Sequence, residues 1–366
     1  MSVRTVYSTR DSVEDVVADI RGQLEGFQAR ALIFFASSYF DPSISEQMSK
    51  AFGSATVFGC TTAGEIVSGK MLKGSVVAMA FDKNTVEDVS VAVLENIKDR
   101  VDVKQAFHAF EDHFNAPLRK MDLSKYAGII LVDGLSGKEE QIMDQIGDYT
   151  DLAFIGGSAG DDLKFQATHL YANGKTYTNS ALLVLLHLPK GFDILKTQSF
   201  KVLDKKLTVT KASSGREVAE FNGKPAALAY AEAIGTTVPD AANHFMRHPV
   251  GLMVDDEPYV RSPQRLNGKN MVFYCNIPQG MEVSLLESLD IVEDTRKDLA
   301  AMQKKMGSVA GVINFHCILR TLALETDKKT DAYGKVFSGV PTIGFSTYGE
   351  EYLGHINQTS TMLFLK

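Results

Sequence analysis

The stretch Gly59-Cys-Thr-Thr-Ala-Gly-Glu65 recurs near the other end of the chain as Gly344-Phe-Ser-Thr-Tyr-Gly-Glu350. A third stretch, Gly156-Gly-Ser-Ala-Gly-Asp161, is a related turn that is one residue shorter. Self-similarity of this kind is the sequence signature of a repeated structural unit. We therefore predict three recognisable copies of one unit.

Each of the three turns follows the same sequence pattern. In the first copy, apolar runs at residues 31–36 and 55–58 flank a helical stretch at residues 44–52. Short β-branched runs bounded by Gly or Ser are typical of buried strands. A strand, helix and strand within about thirty residues predicts a parallel βαβ pair. We expect the strand after each turn to return antiparallel, which makes the sheets mixed.

The 366 residues exceed what one hydrophobic core usually holds, which favours two domains. The second copy starts at residue 126 and the third at residue 309. We place the boundary near residues 211–215 and predict an α/β fold of duplicated βαβ-type units with mixed, largely buried sheets and flanking helices. The expected domains are 1–215 and 216–366, and an eroded fourth copy is expected at residues 249–260.

Composition excludes several classes of partner. The net charge is −7, so neither nucleic acid nor an anionic membrane is an expected partner. The longest apolar run, residues 181–188, is too short for a membrane span, so we expect no membrane insertion. Three scattered cysteines do not form a disulfide framework and suit a reducing compartment. Without an apolar secretory signal at the start, a cytoplasmic location is expected.

The repeated turns contain groups suited to binding a small molecule. Their glycines allow close backbone approach, and successive N–H groups can hold an anion. With the hydroxyls and the carboxylate of Glu65 or Glu350, such a turn suits a zwitterion such as an amino acid. The alternative is that these residues only build a tight crossover turn, with the carboxylates bonding local backbone.

Residues 156–160 also match G-x-S-x-G, the nucleophile elbow of α/β-hydrolases. That reaction needs the serine at a strand-to-helix turn, whereas residues 161–171 alternate like a strand. No P-loop lysine follows these glycines either. We predict that the chain is not an enzyme, although Ser158 and Cys317 stay open as nucleophiles.

The segment 314–321 contains several side chains that can bind a ligand, among them His316, Cys317 and Arg320. If a helix starts at Cys317, then Cys317 and Arg320 share a helix face. Arg320 is a candidate partner for a ligand carboxylate or for Glu350, and a purely structural Arg–Glu pair is the alternative. His316 and His355 lie on either side of the C-terminal turn at residues 344–350 and are candidate metal ligands only if haem is bound.

These motifs together resemble the FIST family, whose members combine a FIST N and a FIST C domain. The resemblance rests on residues 59–66 and 156–161 in the first part, and on 221–227, 277–283, 317–320, 344–350 and 357–359 in the second. The residues that it carries over as ligand-binding candidates are Gly59, Thr61, Gly64, Glu65, Gly156, Gly157, Asp161, Cys317, Arg320, Tyr348, Glu350 and Asn357.

The resemblance implies a sensory module for small ligands such as amino acids, bound between or within the two domains. No output segment is evident in the sequence, so we expect a free-standing sensor that signals to a separate partner such as a histidine kinase. One subset of the family binds haem, senses nitric oxide and regulates a partner histidine kinase. Haem is therefore a possible cofactor, and no cofactor is certain.

Overall fold

The computed structural model describes residues 2–366. Most of the chain forms three units with one order of elements: strand, helix, strand, helix, strand, a short hairpin and a closing strand. The first unit consists of β1 (Val3–Ser8), α1 (Val13–Gln23), β2 (Ala31–Ser37), α2 (Ile44–Ala51), β3 (Thr56–Thr62), β4 (Glu65–Val67), β5 (Lys70–Leu72) and β6 (Val76–Phe81).

The second unit repeats this order, with one additional 3-10 turn at Leu118–Lys120. Its elements are β7 (Asp88–Glu95), α3 (Lys104–Phe114), β8 (Tyr126–Val132), α4 (Glu139–Tyr149), β9 (Phe154–Ser158), β10 (Leu170–Ala172), β11 (Lys175–Tyr177) and β12 (Ser180–His187).

The third unit opens with β13 (Phe192–Gln198) and is then interrupted by an inserted domain, residues 200–288. The inserted domain consists of β14 (Phe200–Ser214), β15 (Glu217–Phe221), β16 (Lys224–Pro225), α5 (Ala226–Ile234), a 3-10 segment (Val238–His244), β17 (Val250–Val254), β18 (Glu257–Arg261), β19 (Pro263–Asn267), β20 (Asn270–Phe273) and β21 (Glu282–Ser288).

After the inserted domain the third unit resumes the order of the other two, with its second helix divided into α7 and α8. Its elements are α6 (Ile291–Met306), β22 (Gly311–Cys317), α7 (Ile318–Thr326), α8 (Thr330–Val336), β23 (Thr342–Thr347), β24 (Glu350–Tyr352), β25 (His355–Ile356) and β26 (Thr359–Leu365).

Each unit builds a six-stranded sheet whose last two strands come from another unit. The strand orders are β1-β6-β2-β3-β10-β11, β7-β12-β8-β9-β24-β25 and β13-β26-β22-β23-β4-β5. The hairpins are thus exchanged in a ring: the second unit extends the first sheet, the first unit extends the third, and the third unit extends the second. No unit completes its own sheet, so the three units depend on one another.

The predicted α/β fold with mixed sheets is confirmed. The pairs β2–β3, β8–β9 and β22–β23 are parallel, and the other pairs in these three sheets are antiparallel. Residues on the two faces of each strand alternate between two cores. In β2, for example, Phe35 enters a core shared by all three units, while Phe34 packs beneath helices α1 and α2. The ring of Phe35 lies 4.5 Å from that of Phe345 in the third unit.

The inserted domain corrects one prediction. Residues 249–260 are not an eroded βαβ copy, because β17 and β18 form an antiparallel hairpin in the sheet β18-β17-β21-β14-β15-β20-β19. Helix α5 of this domain ends at Gly235, which has a φ of 75°. The boundary predicted at residue 215 lies in the turn between β14 and β15, and the two-domain division stays a prediction. None of the helices in residues 2–366 has the length and hydropathy needed to cross a lipid bilayer.

Candidate functional site

The first glycine of each repeated turn lies where two parallel strands approach closely. A Cβ atom at these positions would collide with a carbonyl oxygen of the neighbouring strand, in the pairs Gly59 and Phe34 (1.8 Å), Gly156 and Ile130 (1.7 Å), and Gly344 and Asn314 (2.2 Å). Contacts this short force the backbone to move. These glycines are therefore required by the packing of the strands.

Glu65 and Glu350 hold equivalent turns together. Both are buried, and each accepts hydrogen bonds from the hydroxyl three residues earlier and from the residue at or just before the start of the unit's last strand. The donors are Thr62 Oγ1, Ser75 N (3.0 Å) and Ser75 Oγ (2.6 Å) for Glu65, and Thr347 Oγ1 (2.6 Å), Thr359 N (3.2 Å) and Thr359 Oγ (2.6 Å) for Glu350. Burial raises the pKa of each carboxyl to about 7, although these hydrogen bonds lower it. The geometry favours the structural alternative for both residues.

Asp161 and Tyr348 hold a loop of the second unit, residues 161–169, against the third unit. Tyr348 Oη donates to Asp161 Oδ1 at 2.5 Å, and the same carboxylate accepts from backbone N–H groups of residues 165–167. The ring of Phe165 stacks on Tyr348 at a centroid distance of 5.3 Å. Residues 161–169 are thus a loop, and the expected strand is present only from Leu170 onward.

This loop borders a cleft where the second unit, the third unit and the inserted domain meet. The cleft encloses about 220 Å³. Four of the predicted residues line it: Cys317, Tyr348, His355 and Asn357. The other predicted ligand-binding residues and the metal candidate His316 lie outside this lining. They are Gly59, Thr61, Gly64, Glu65, Gly156, Gly157, Asp161, Arg320, Glu350 and His316.

A partly buried ion-pair cluster at the cleft was not predicted from the sequence. Arg216 of the inserted domain donates to Glu139 at 2.9 Å and to Glu140 at 2.6 Å, both at the start of α4. Glu140 also accepts from the backbone N–H of Asn276 at 2.7 Å. Because Arg216 and the two glutamates are far apart along the chain and form no local motif, only the fold brings them together.

His355 provides a second charge at the cleft. Its Nδ1 lies 3.3 Å from Oε1 of Glu351, which also accepts from Ser158 Oγ at 2.8 Å. Burial disfavours the charged imidazole, but the hydrogen bond to Glu351 and the charges of Glu139 and Glu140 outweigh it and raise the pKa of His355 to about 9. His355 is therefore a cation at neutral pH, held close to the backbone at Gly349, where a Cβ would lie 2.1 Å from its Cε1.

Two buried polar atoms at or next to the cleft lack a protein partner. Within residues 2–366, neither Oδ1 of Asn357 nor Oε2 of Glu351 has a hydrogen-bond partner. Buried polar atoms normally have one, so such atoms point to a bound water or ligand. The opposite wall is apolar and aromatic and includes Phe165, Tyr274 and Leu319. The cleft thus suits a small molecule with a polar end and an apolar body.

Haem does not fit the two candidate histidines in this conformation. His316 is fully buried, its Nδ1 bonds Tyr333 Oη at 2.9 Å, and burial lowers its pKa well below the usual range. Despite burial, the hydrogen bond to Glu351 and the charges of Glu139 and Glu140 raise the pKa of His355 and favour its charged form, whereas a metal ligand needs neutral imidazole. The cleft is also smaller than the roughly 300–1,000 Å³ of typical sites for drug-sized ligands. No cluster of three or more metal-ligating side chains occurs in the described part of the chain, and haem binding stays a prediction.

The two candidate nucleophiles are shielded. Burial raises the pKa of the Cys317 thiol well above its usual range, with the Glu350 carboxylate adding to the effect, and a thiol in that state is a poor nucleophile. Ser158 is buried, donates to Glu351, and is followed by the loop 161–169 rather than by a helix. The elbow context is therefore missing, in agreement with the sequence pattern.

An α/β framework with a small charged cleft and shielded nucleophiles has the features of a ligand-binding module. The chain belongs to the FIST family: the model of the FIST N domain matches residues 30–224 and that of the FIST C domain matches residues 226–352. The family is one of sensory domains, which generally bind ligands in signal transduction. The resemblance stated from the motifs is thereby confirmed.

One curated relative is an uncharacterized protein of Methanocaldococcus jannaschii. It is 24% identical over 270 residues, which cover 68% of this chain. The match covers 51% of the relative, so the chain corresponds to about half of that protein.

Proposed function

We propose that this protein is a sensor whose cleft binds a small zwitterion such as an amino acid. The observation that carries the proposal is the cleft itself, where a histidine cation, buried carboxylates and the unpartnered Oδ1 of Asn357 face an apolar wall. A ligand carboxylate would bind His355, and a ligand ammonium would bind Asn357 Oδ1 or a nearby carboxylate. The apolar side chain of the ligand would pack against Phe165 and Tyr274.

We further propose that the bound state is read by a separate signalling protein such as a histidine kinase. The cleft is lined by both the inserted domain and the three-unit core, so a ligand there contacts both. Such a ligand changes the balance between two arrangements only if it binds one of them more tightly. Family membership supports a role in signalling, and the kinase is the partner class that the resemblance suggests.

Thermal stability in the presence of each amino acid and of small carboxylates tests the ligand proposal. A true ligand at a hundred times its Kd should add about 2.7 kcal/mol to the free energy of unfolding. Asn357→Ala should abolish this gain, whereas the exposed control Asn84→Ala should keep it. The proposal fails if none of these compounds stabilises the wild type, or if Asn357→Ala responds as the wild type does.

A further inference from the structure

A second cavity of about 370 Å³ lies between the inserted domain and the third unit. Helix α7 separates it from the cleft. Ile318, Leu319 and Leu322 line the cleft, whereas Arg320, Leu324 and Asp327 line the second cavity, as expected for two faces of one helix.

The segment after β25 divides the two spaces in the same way. Asn357 lines the cleft, and its neighbour Gln358 lines the second cavity. Cys317 therefore lines the cleft and Arg320 the second cavity. Arg320 also makes no ion pair with Glu350, whose carboxylate is bonded by Thr347 and Thr359.

Arg320 is a buried cation that makes no salt bridge within the described part of the chain. Its side chain is 2% exposed, and Nη2 donates to Thr295 Oγ1 at 2.9 Å. Among residues 2–366, its Nε and Nη1 have no hydrogen-bond partner, and no carboxylate oxygen lies within the 4.0 Å of a salt bridge. Burial raises the pKa of the Asp294 carboxyl and the charge of Arg320 lowers it, but the two groups form no direct ion pair. A buried charge is costly unless its donors are paired, so Nε and Nη1 are free to bind an anion.

The cavity also has the charge and the walls for an organic anion. Lys329 at its edge is paired with Asp290 at 2.7 Å, which leaves Arg247 and Arg320 against the single carboxylate of Asp327 among the lining residues. Apolar side chains complete the lining, namely Phe200, Met246, Leu289, Ile291 and Leu324.

We propose that this cavity is a second binding site, separate from the cleft, for a small organic carboxylate held by Arg320. Guanidinium groups bind carboxylates and phosphates through paired N–H donors, and the apolar lining favours a carboxylate with a short alkyl chain. Because α7 forms a wall of both spaces, a ligand in this site contacts the same helix as a ligand in the cleft. The proposal does not depend on what the cleft binds.

Calorimetric titration of the full chain with valerate, acetate and inorganic phosphate, at constant ionic strength with chloride, tests this site. We expect valerate to bind more tightly than acetate. Arg320→Met should weaken valerate binding by about tenfold to a hundredfold, the range for hydrogen bonds to a charged group. The cleft variant Asn357→Ala should bind valerate as the wild type does.

A second variant keeps the test decisive if Arg320→Met does not fold. Ala323→Leu adds volume to the cavity wall without touching the guanidinium, and it should also abolish valerate binding. Valerate binding that survives Ala323→Leu, or that is lost in Asn357→Ala, overturns the proposal. So does a wild type that binds valerate no better than chloride. Phosphate binding tighter than valerate binding would overturn the carboxylate assignment.

Discussion

Glu65 and Glu350 occupy the same position in two different units, and the carboxylate of each bonds the residue at or just before the start of its unit's last strand. The donors there are Ser75 and Thr359, respectively. Each glutamate also starts a hairpin that leaves its unit and joins the sheet of another. One buried carboxylate thus fixes the point at which the chain crosses between units.

These carboxylates make stability depend on pH between about 4.5 and 7. In this range each is protonated in the folded state, where its pKa is about 7, and ionised in the unfolded state, where it is near 4.5. The unfolded state binds fewer protons, so stability falls as pH rises. At about 1.4 kcal/mol per pKa unit, the fall is on the order of 3 kcal/mol for each residue.

Glu65→Gln and Glu350→Gln should each remove part of this slope. Urea unfolding at several pH values between 4.5 and 8 measures it. Glu14→Gln, on the exposed face of α1, should leave the slope unchanged. An unchanged slope in both buried variants would show that these carboxylates stay ionised in the folded protein.

Substitution of a turn glycine tests how closely the parallel strands pack. Gly59→Ala would place its Cβ 1.8 Å from the carbonyl oxygen of Phe34, so we expect a loss of stability above 4 kcal/mol, the exceptional range for one substitution. Gly147→Ala is the matched control, because it lies in α4 with open space around its Cβ. That change should be neutral or add about 0.5–1 kcal/mol. Denaturant midpoints compare the two, and similar midpoints would contradict the close strand approach.

The repeated turns and parallel strand pairs were predictable because they are local. The strand, helix and strand around Gly59 lie within about thirty residues, and their periodicity is visible in the sequence. The ring of exchanged hairpins was not predictable, since β4 pairs with β23 more than 270 residues away. For the same reason the third unit could not be recognised in full: β13 and α6 are separated by the inserted domain.

Some residues of the cleft were likewise predictable from the sequence, and others were not. Cys317, Tyr348, His355 and Asn357 all lie in the C-terminal part of the chain and were predicted as candidates, and the structure brings them into one lining. Arg216 and Glu139 carry no motif and meet only through the packing of the inserted domain against α4. Arg320 was expected beside Cys317, but the turn from β22 into α7 places it on the far side of the helix.

His355 should produce a second pH dependence, at higher pH than that of the glutamates. Its folded pKa of about 9 lies above the unfolded value of 6.5, so its stabilising effect is complete below pH 6.5 and is lost as pH rises through 9. His355→Gln should remove this slope and should destabilise the protein by about 3–5 kcal/mol, because it leaves Glu351 buried without its partner.

Unfolding measured from pH 6 to 9.5 separates this effect from that of the glutamates. His108→Gln, at an exposed position of α3, is the control and should keep the wild-type slope. If His355→Gln is unfolded at neutral pH, its unfolding free energy cannot be followed against pH. The His355 imidazole of the wild type is then titrated by NMR instead. An imidazole that titrates near pH 6.5 would contradict the charged cluster.

The three cysteines should be unreactive in the folded protein. Cys60, Cys275 and Cys317 are buried, and desolvation raises the pKa of each thiol. Little thiolate is therefore available at pH 7.5, and thiolate is the species that iodoacetamide alkylates. Mass spectrometry after a short exposure should find no label on the native chain and three labels after unfolding in guanidinium chloride. Selective labelling of Cys317 in the native protein would contradict this and reopen Cys317 as a nucleophile, since this thiol lines the cleft where a substrate would bind.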